Sequence, residues 1–171
     1  MQDIDRLFRE FHTPIVRYLT RQLHDADLAE ELAQETFVRA LRHVPIANER
    51  AWLFAVATNL IRDTIRRDTR HRRRLLELHA EAAHADVEPD ELSPQGLRDA
   101  AMAREALHNI PERDRAALFM SQEGLNYQEI AAALGLSVQS IGTTLTRARK
   151  KVVQSYEGLR RHENGGTHAA S

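Results

Sequence analysis

The amino-acid sequence predicts an all-α fold, arranged as two small helical domains joined by a flexible acidic linker. Apolar residues recur at helical spacing along most of the chain, beginning with Ile4, Leu7, Phe8 and Phe11. No stretch alternates apolar and polar residues for long enough to predict a strand. With 42% hydrophobic and 29% charged residues, the chain has the composition of an ordinary folded protein.

The domain boundaries follow from the distribution of charge and proline. Residues 75–97 contain two prolines and few large apolar residues, so they predict a linker. Its acidic residues are Glu77, Glu81, Asp86, Glu88, Asp90 and Glu91. We therefore expect one domain over residues 1–74 and a second over residues 98–160. The polar residues 161–171, which include two adjacent glycines, predict a disordered tail.

Helix start and stop signals divide the first domain into successive helices. Thr13 and Pro14 pair a capping residue with a proline suited to the first helical position, so they predict a helix start. Asp25 or Asp27 can cap the next helix. The segment 44–48 (Val-Pro-Ile-Ala-Asn) ends that helix, and a long helix is predicted to start near residue 49. Within this helix the single tryptophan, at position 52, is expected to pack in the core.

The second of these helices has two different surfaces. Its apolar contacts are expected from Leu28, Leu32, Phe37, Val38 and Leu41. The other surface is acidic and polar, with Asp27, Glu30, Glu31, Gln34 and Glu35. Charges of this kind are often only a solvated helix face.

Residues 126–150 have the pattern of a helix-turn-helix. A short helix begins near Tyr127, and Gly135 follows it as a residue that tolerates positive φ. Ser137 can cap the second helix. The buried stripe of that helix is predicted to be Ile141, Leu145 and Ala148. The polar residues off this stripe, free to face the major groove of DNA, are Gln139, Ser140, Thr143, Thr144 and Arg147.

Basic charge is concentrated in two segments, although the formal net charge of the whole chain is only −1. The first segment, near the end of the first domain, contains Arg62, Arg66, Arg67, Arg70, Arg72, Arg73 and Arg74. The second closes the helix-turn-helix and contains Arg147, Arg149, Lys150 and Lys151. Clusters of this kind predict contacts to nucleic-acid phosphates.

Three motifs occur in a fixed order along the chain. Residues 27–41 read DLAEELAQETFVRAL, residues 51–63 read AWLFAVATNLIRD, and residues 110–118 read IPERDRAAL just before the helix-turn-helix. In this order they resemble the extracytoplasmic-function (ECF) group of the sigma-70 family, over about residues 4–155. The resemblance implies an initiation factor that binds core RNA polymerase and directs it to promoters through their −10 and −35 elements.

The resemblance also implies roles for particular residues. The polymerase would dock on the acidic surface of the helix over residues 27–41, at Asp27, Glu31, Gln34 and Glu35. The −10 element would be melted and held by Asn48, Asn59, Arg62, Arg66 and Arg67. Contacts to the −35 element are expected from Gln139, Ser140, Thr143, Thr144, Arg147 and Lys150. The chain departs from the family pattern at Gly142 and Thr144, where many relatives carry a basic residue and an arginine.

Enzymatic, metal and membrane functions find no support in the sequence. The absence of cysteine excludes disulfides and thiolate metal sites, and there is no P-loop, no Gly-x-Ser-x-Gly and no paired metal-ligand motif. We therefore expect no catalytic activity, no cofactor and no metal. No apolar run approaches the roughly 20 residues that span a bilayer, and the N-terminus is not a signal peptide. These observations predict a cytoplasmic protein without membrane insertion.

Some alternatives remain open at this stage. The chain could be a stand-alone helix-turn-helix regulator that never acts as a polymerase subunit, or an interaction module that has lost DNA binding. The acidic linker either imitates nucleic acid near the RNA exit path of the polymerase or only tethers the domains. The resemblance adds an anti-sigma factor as an expected partner.

Overall fold

The computed structural model describes residues 2–67 and 93–166, which form seven α-helices and no strand within those two ranges. In chain order the helices are α1 (Gln2–Leu23), α2 (Ala26–Leu41), α3 (Glu49–Arg67), α4 (Pro94–His108), α5 (Glu112–Gln122), α6 (Tyr127–Leu134) and α7 (Val138–Gly166). The predicted all-α fold is confirmed. None of these helices is long and apolar enough to cross a membrane.

Helices α1, α2 and α3 pack against one another and form the N-terminal half. At its centre the Tyr18 ring meets the Phe54 ring edge-on, with ring centroids 5.1 Å apart. The Tyr18 hydroxyl lies 2.7 Å from Thr58 Oγ1, which itself donates to the Phe54 carbonyl, so the tyrosine is the donor of this bond. Burial raises the pKa of Tyr18. These contacts fix α3 on α1.

Capping residues set the starts of α2 and α3. Asp25, rather than Asp27, caps α2, because its carboxylate accepts a hydrogen bond from the Leu28 N–H at 3.0 Å. Asn48 Oδ1 accepts from the Ala51 N–H at 3.3 Å, so α3 begins at Glu49 as the sequence predicts.

Helix α7 is the centre of the C-terminal half, and α4, α5 and α6 all pack against it. Ile130 of α6 and Ile141 and Leu145 of α7 are completely or almost completely buried. Apolar burial of this kind stabilises the fold by about 1.5–3 kcal/mol for each large side chain.

The two halves also pack directly against each other. Helix α3 lies against α6, and α1 lies against α5. Buried apolar side chains of both halves belong to one continuous cluster. The predicted linker lies outside the described residues up to position 92, yet the halves that it joins are in contact.

Helix α4 begins at Pro94, before the predicted start of the second domain at residue 98. Residues 94–97, predicted as the end of the linker, are therefore helical. The Ser93 hydroxyl accepts a hydrogen bond from the Gly96 N–H at 3.2 Å, and proline occupies the first helical turn, where it loses no hydrogen bond. Ser93-Pro94 was thus a recognisable start signal.

Two further predictions are corrected. Helix α7 continues to Gly166, so residues 161–166 of the predicted disordered tail are helical. A helix whose first part is already fixed by burial gains one hydrogen bond for each residue added, which favours extension. Pro14 lies inside α1 and does not start a helix. Proline removes one backbone hydrogen bond there, but the buried Phe11, Ile15 and Tyr18 on both sides keep the helix continuous.

Candidate nucleic-acid interface

The helix-turn-helix consists of α6, a tight turn and α7. Asn126 and Glu129 form a capping box at the start of α6, in which each side chain accepts the other residue's backbone N–H at 2.9 Å. Gly135 ends α6 with φ of 66°, a left-handed conformation that favours glycine. Leu136 N–H then donates to the Ala131 carbonyl at 2.9 Å. The sequence analysis predicted this turn glycine.

The buried stripe of α7 contains one more residue than predicted. Ile141, Leu145 and Ala148 are buried as expected, and Thr144 is buried as well, with 5% of its surface exposed. Thr144 therefore faces the core of the C-terminal half and not the outer face on which the other predicted −35 residues lie. The physical reason is helical spacing, since residue 144 stands three positions after Ile141 and so lies on the same face.

The outer face of α7 forms an open groove. It is lined by Gln139, Gly142, Thr143, Thr146, Arg147 and Lys150. Four of the six residues predicted to contact the −35 element thus lie together. Thr146 was missed, although it follows Thr143 at the same three-residue spacing. Ser140 does not line the groove, and its hydroxyl donates to the Ser137 carbonyl at 2.8 Å.

The groove rests on an ion pair that joins α7 to α5. The Asp114 carboxylate accepts from Arg147 Nη2 at 3.0 Å and from Lys151 Nζ at 3.1 Å, and only 3% of its side chain is exposed. Burial by itself raises the pKa of Asp114, but the hydrogen bonds from the two cations outweigh burial and hold the pKa below its usual value. Asp114 therefore stays ionised and orients Arg147, which remains half exposed.

Tyr127, the first residue of α6, lies beside the groove. A Cβ atom added at Gly142 would meet Tyr127 Cε2 at 3.6 Å, which is an ordinary van der Waals distance. Half of the Tyr127 surface is exposed. Because residue 142 is glycine, the Tyr127 ring lies close to the backbone of α7.

The predicted −10 residues follow the outer face of α3. Asn59, Arg66 and Arg67 are exposed, and Arg62 is partly exposed. Asn48 is also exposed, but it lies 11 residues before Asn59, which is about 16 Å along a helix. Asn48 precedes the first residue of α3, so the structure does not bring these two asparagines together.

Two residues of α3 differ in part from their expected roles. Trp52 packs against the core as expected, but it is only half-buried, and its ring centroid lies 5.3 Å from that of His43. Arg62 reaches the other half of the molecule, since its Nε donates to Glu112 Oε1 at 2.7 Å. The remaining arginines of this cluster, from Arg70 onwards, lie outside the described residues.

The outer surface of α2 combines acidic and apolar side chains. Asp27, Glu31 and Gln34 are exposed, and Glu35 forms an ion pair with Arg39 at 2.9 Å. Val38 and Leu41 continue the same surface with 44% and 58% exposure. The helical pattern of the sequence predicts that both make apolar contacts within the fold. Their exposure instead leaves an apolar patch beside the acidic residues.

Nothing in the described ranges suggests a metal centre. No group of three or more histidine, aspartate or glutamate side chains is placed to hold an ion in residues 2–67 and 93–166.

Comparisons with known proteins agree with this arrangement. A model of sigma-70 region 2 matches residues 7–71, and a model of sigma-70 region 4 matches residues 100–152. The RNA polymerase sigma factor YlaC of Bacillus subtilis is 26% identical, covering 94% of this chain and 95% of that protein. The ECF RNA polymerase sigma factor EcfG of Rhodopseudomonas palustris is 34% identical, covering 75% and 71%.

A solved structure has the same fold. The sigma factor RpoE of Bartonella quintana, crystallised in complex with the anti-sigma factor NepR, superposes with a TM-score of 0.63 at 19% sequence identity. The match covers 92% of this chain and 98% of that one.

Proposed function

The chain belongs to the extracytoplasmic-function group of the sigma-70 family, and on that premise we propose how its surfaces divide the work of promoter recognition. As a member it is a transcription initiation factor that binds core RNA polymerase and directs it to promoters. We assign polymerase binding to the outer surface of α2, the −10 element to the outer face of α3, and the −35 element to the groove on α7.

The observation that supports this assignment is the solvent exposure of the three surfaces. All three surfaces hold polar or charged residues that the fold does not need, while the opposite faces of the same helices supply the core. A helix that only supports a fold has no requirement for a particular polar pattern on its outer face. The stand-alone regulator has no use for the surfaces on α2 and α3.

The outer surface of α2 suits a protein partner. An interface commonly joins an apolar centre to a polar surround, and Val38 and Leu41 with Glu31 and Gln34 provide both. Glu35 contributes less negative charge than its sequence position indicates, because Arg39 neutralises it. We therefore place the main electrostatic contact at Glu31.

On α3 we assign phosphate contact to Arg66 and Arg67 and a base contact to Asn59. Arginine binds phosphate through its planar, multiply donating guanidinium group. The amide of Asn59 can both donate to and accept from the edge of an unpaired base. Arg62 joins this set only when it leaves Glu112.

In the groove on α7, Gln139 suits a bidentate contact to adenine, and Thr143 offers a hydroxyl group to a base edge. The Thr146 hydroxyl donates to the Gly142 carbonyl at 2.9 Å, so toward DNA it is an acceptor. Arg147 uses one of its nitrogens on Asp114, which leaves further N–H donors for guanine or phosphate. Lys150 is exposed at the end of the groove and suits phosphate. Ser140 and Thr144 are left out of this assignment.

Three further expectations are part of the proposal. The chemistry of RNA synthesis belongs to the polymerase, so this chain has no catalytic activity of its own. It works in the cytoplasm, where polymerase and promoter DNA are. Because a protein of the same fold was crystallised with an anti-sigma factor, we propose that such a regulator also binds this chain.

A charge reversal on α2 tests the polymerase assignment. Glu31→Arg should weaken binding to core polymerase at least tenfold, because it places a cation at the centre of an acidic surface. The matched control is Glu157→Arg, which makes the same change on an exposed position of α7. Equal affinities of the Glu31→Arg variant and the wild-type protein would remove α2 from the proposal.

A further inference from the structure

Charged side chains cross the boundary between the N-terminal and C-terminal halves. Among the described ion pairs that do so, the arginine always comes from the N-terminal half and the carboxylate from the C-terminal half. The pairs are Arg17–Glu123, Arg21–Glu123, Arg50–Glu129 and Arg62–Glu112. The two surfaces are therefore complementary in charge as well as apolar at their centre.

Glu123 is the best-enclosed member of this set. Arg17 donates to Glu123 Oε2 from both Nη2, at 2.8 Å, and Nε, at 3.2 Å. Arg21 Nη1 reaches Glu123 Oε1 at 3.4 Å and Gln122 Oε1 at 2.9 Å. Only 3% of the Glu123 side chain is exposed, whereas the side chain of Arg17 is 54% exposed. The carboxylate is thus buried only because the N-terminal half covers it with cations.

The position of Glu123 connects this contact to DNA recognition. Glu123 directly follows α5 and precedes the three-residue connection to α6. In that connection the Gly124 carbonyl accepts a hydrogen bond from Arg50 Nη1 of α3 at 3.2 Å. The N-terminal half therefore holds the segment that leads into the helix-turn-helix.

A molecule closed in this way cannot reach both promoter elements. The −35 and −10 elements lie about 25 base pairs apart, or about 85 Å at about 3.4 Å for each base pair. A compact chain of this length is only about 40 Å across. In addition, Arg62, which we assign to the −10 element, is engaged with Glu112 in the closed arrangement.

We propose that Arg17, Arg21 and Glu123 form an interdomain latch that keeps the free protein closed and inactive, and that polymerase binding requires this latch to open. The inference rests on the proposed function for its consequence in transcription, but not for the latch itself. Because the side chains of Arg17 and Arg21 are 54% and 37% exposed, salt screens these ion pairs in part, and the latch weakens as the Debye length falls from about 10 Å at 0.1 M to about 3 Å at 1 M.

The distance between the halves tests the latch without polymerase. The chain has no cysteine, so Asp3→Cys and Gln154→Cys give one dye site on an exposed position of each half. Energy transfer between the dyes is compared in the otherwise wild-type protein and with Glu123→Gln, which keeps the shape of the side chain and removes its charge. Arg17→Gln opens the same pair from the other side, and Glu157→Gln is the control on α7.

We expect Glu123→Gln and Arg17→Gln each to raise the open population roughly tenfold, as loss of a charge-assisted hydrogen bond does. Energy transfer should fall in both variants and at 1 M salt, but not in the control. The apparent affinity for core polymerase should rise by the same factor, because the binding-competent fraction rises. Circular dichroism confirms that each variant stays folded.

Unchanged energy transfer in the folded Arg17→Gln and Glu123→Gln variants would overturn the latch. A fall in energy transfer without any binding to polymerase would support the latch and contradict the proposed function. A fall in energy transfer with unchanged polymerase affinity would show that the closed state does not limit activity, and would overturn the inhibitory role.

Discussion

Asp114→Asn should destabilise the C-terminal half and do so in a pH-dependent way. Asp114 is 3% exposed and accepts two charge-assisted hydrogen bonds, from Arg147 and Lys151, across α5 and α7. Bonds of this kind contribute about 1.5–3 kcal/mol each when well shielded. The side chains of Arg147 and Lys151 are 53% and 38% exposed, so solvent screening reduces the sum. We expect a loss of about 1–2 kcal/mol, or about 3–6 °C in Tm.

The pH dependence follows from the lowered pKa of Asp114 in the folded state. A group whose pKa is lower in the folded state than in the unfolded state adds stability above its unfolded pKa, which is about 3.9 for aspartate. That stability is lost as pH falls through the folded pKa. The difference between wild type and Asp114→Asn should therefore be constant from neutral pH to about pH 5 and shrink below about pH 4.

Urea unfolding followed by circular dichroism, repeated between pH 3 and pH 7, measures both effects. Asp99→Asn is the matched control, because Asp99 lies in the same half and meets only Gln95 in an exposed contact. The account of Asp114 is refuted if its variant matches the control at pH 7. A difference that persists undiminished at pH 3 would refute it as well, because below about pH 3.9 Asp114 of the unfolded wild-type chain takes up a proton and the advantage of the lowered folded pKa falls.

Four further substitutions have expected outcomes. Gly142→Ala should raise the free energy of unfolding by about 0.5–1 kcal/mol, because alanine favours the helix more than glycine does. The added Cβ meets Tyr127 at an ordinary van der Waals distance. A Tm lower than that of the wild type would contradict this prediction. Gly135→Ala should lower the free energy of unfolding by about 1–2 kcal/mol, because alanine is strained at the positive φ of this position. The added Cβ would meet no atom within 4 Å, so the backbone conformation is the whole cost. An unchanged Tm would contradict this prediction. Lys150→Ala should reduce by about one unit the slope of log K against log salt concentration for −35 DNA, with no change in base preference. Gln139→Ala should instead change the base preference. If Gln139→Ala weakened binding to all DNA sequences equally, the assignment of Gln139 would be contradicted.

Much of the local structure could be predicted from the sequence, because it depends on neighbours in the chain. Gly135 ends α6 in the left-handed conformation that the turn requires, and α3 starts after Asn48 as predicted. The burial of Thr144 could also be predicted, since its three-residue distance from Ile141 places it on the buried face of α7. Ser93 and Pro94 are likewise a helix-start signal in the sequence, and α4 begins there.

The packing of the two halves could not be predicted in this way. Arg17 and Glu123 are 106 residues apart, and each looks in sequence like an ordinary solvated charge. The exposure of Val38 and Leu41 could not be predicted either. Helical spacing gives the direction of a side chain but not whether another helix covers it. Tertiary contacts determine whether such side chains are paired or covered.

Run-off transcription with core polymerase tests the central claim most directly. The templates carry randomised −35 and −10 elements, and the products identify the promoters that the chain selects. We expect specific transcripts that require this protein, depend on both elements, and are strongly reduced by Glu31→Arg but unchanged by Glu157→Arg. Binding to DNA without any transcript, or transcripts that need only one element, would contradict the division of work between α2, α3 and α7.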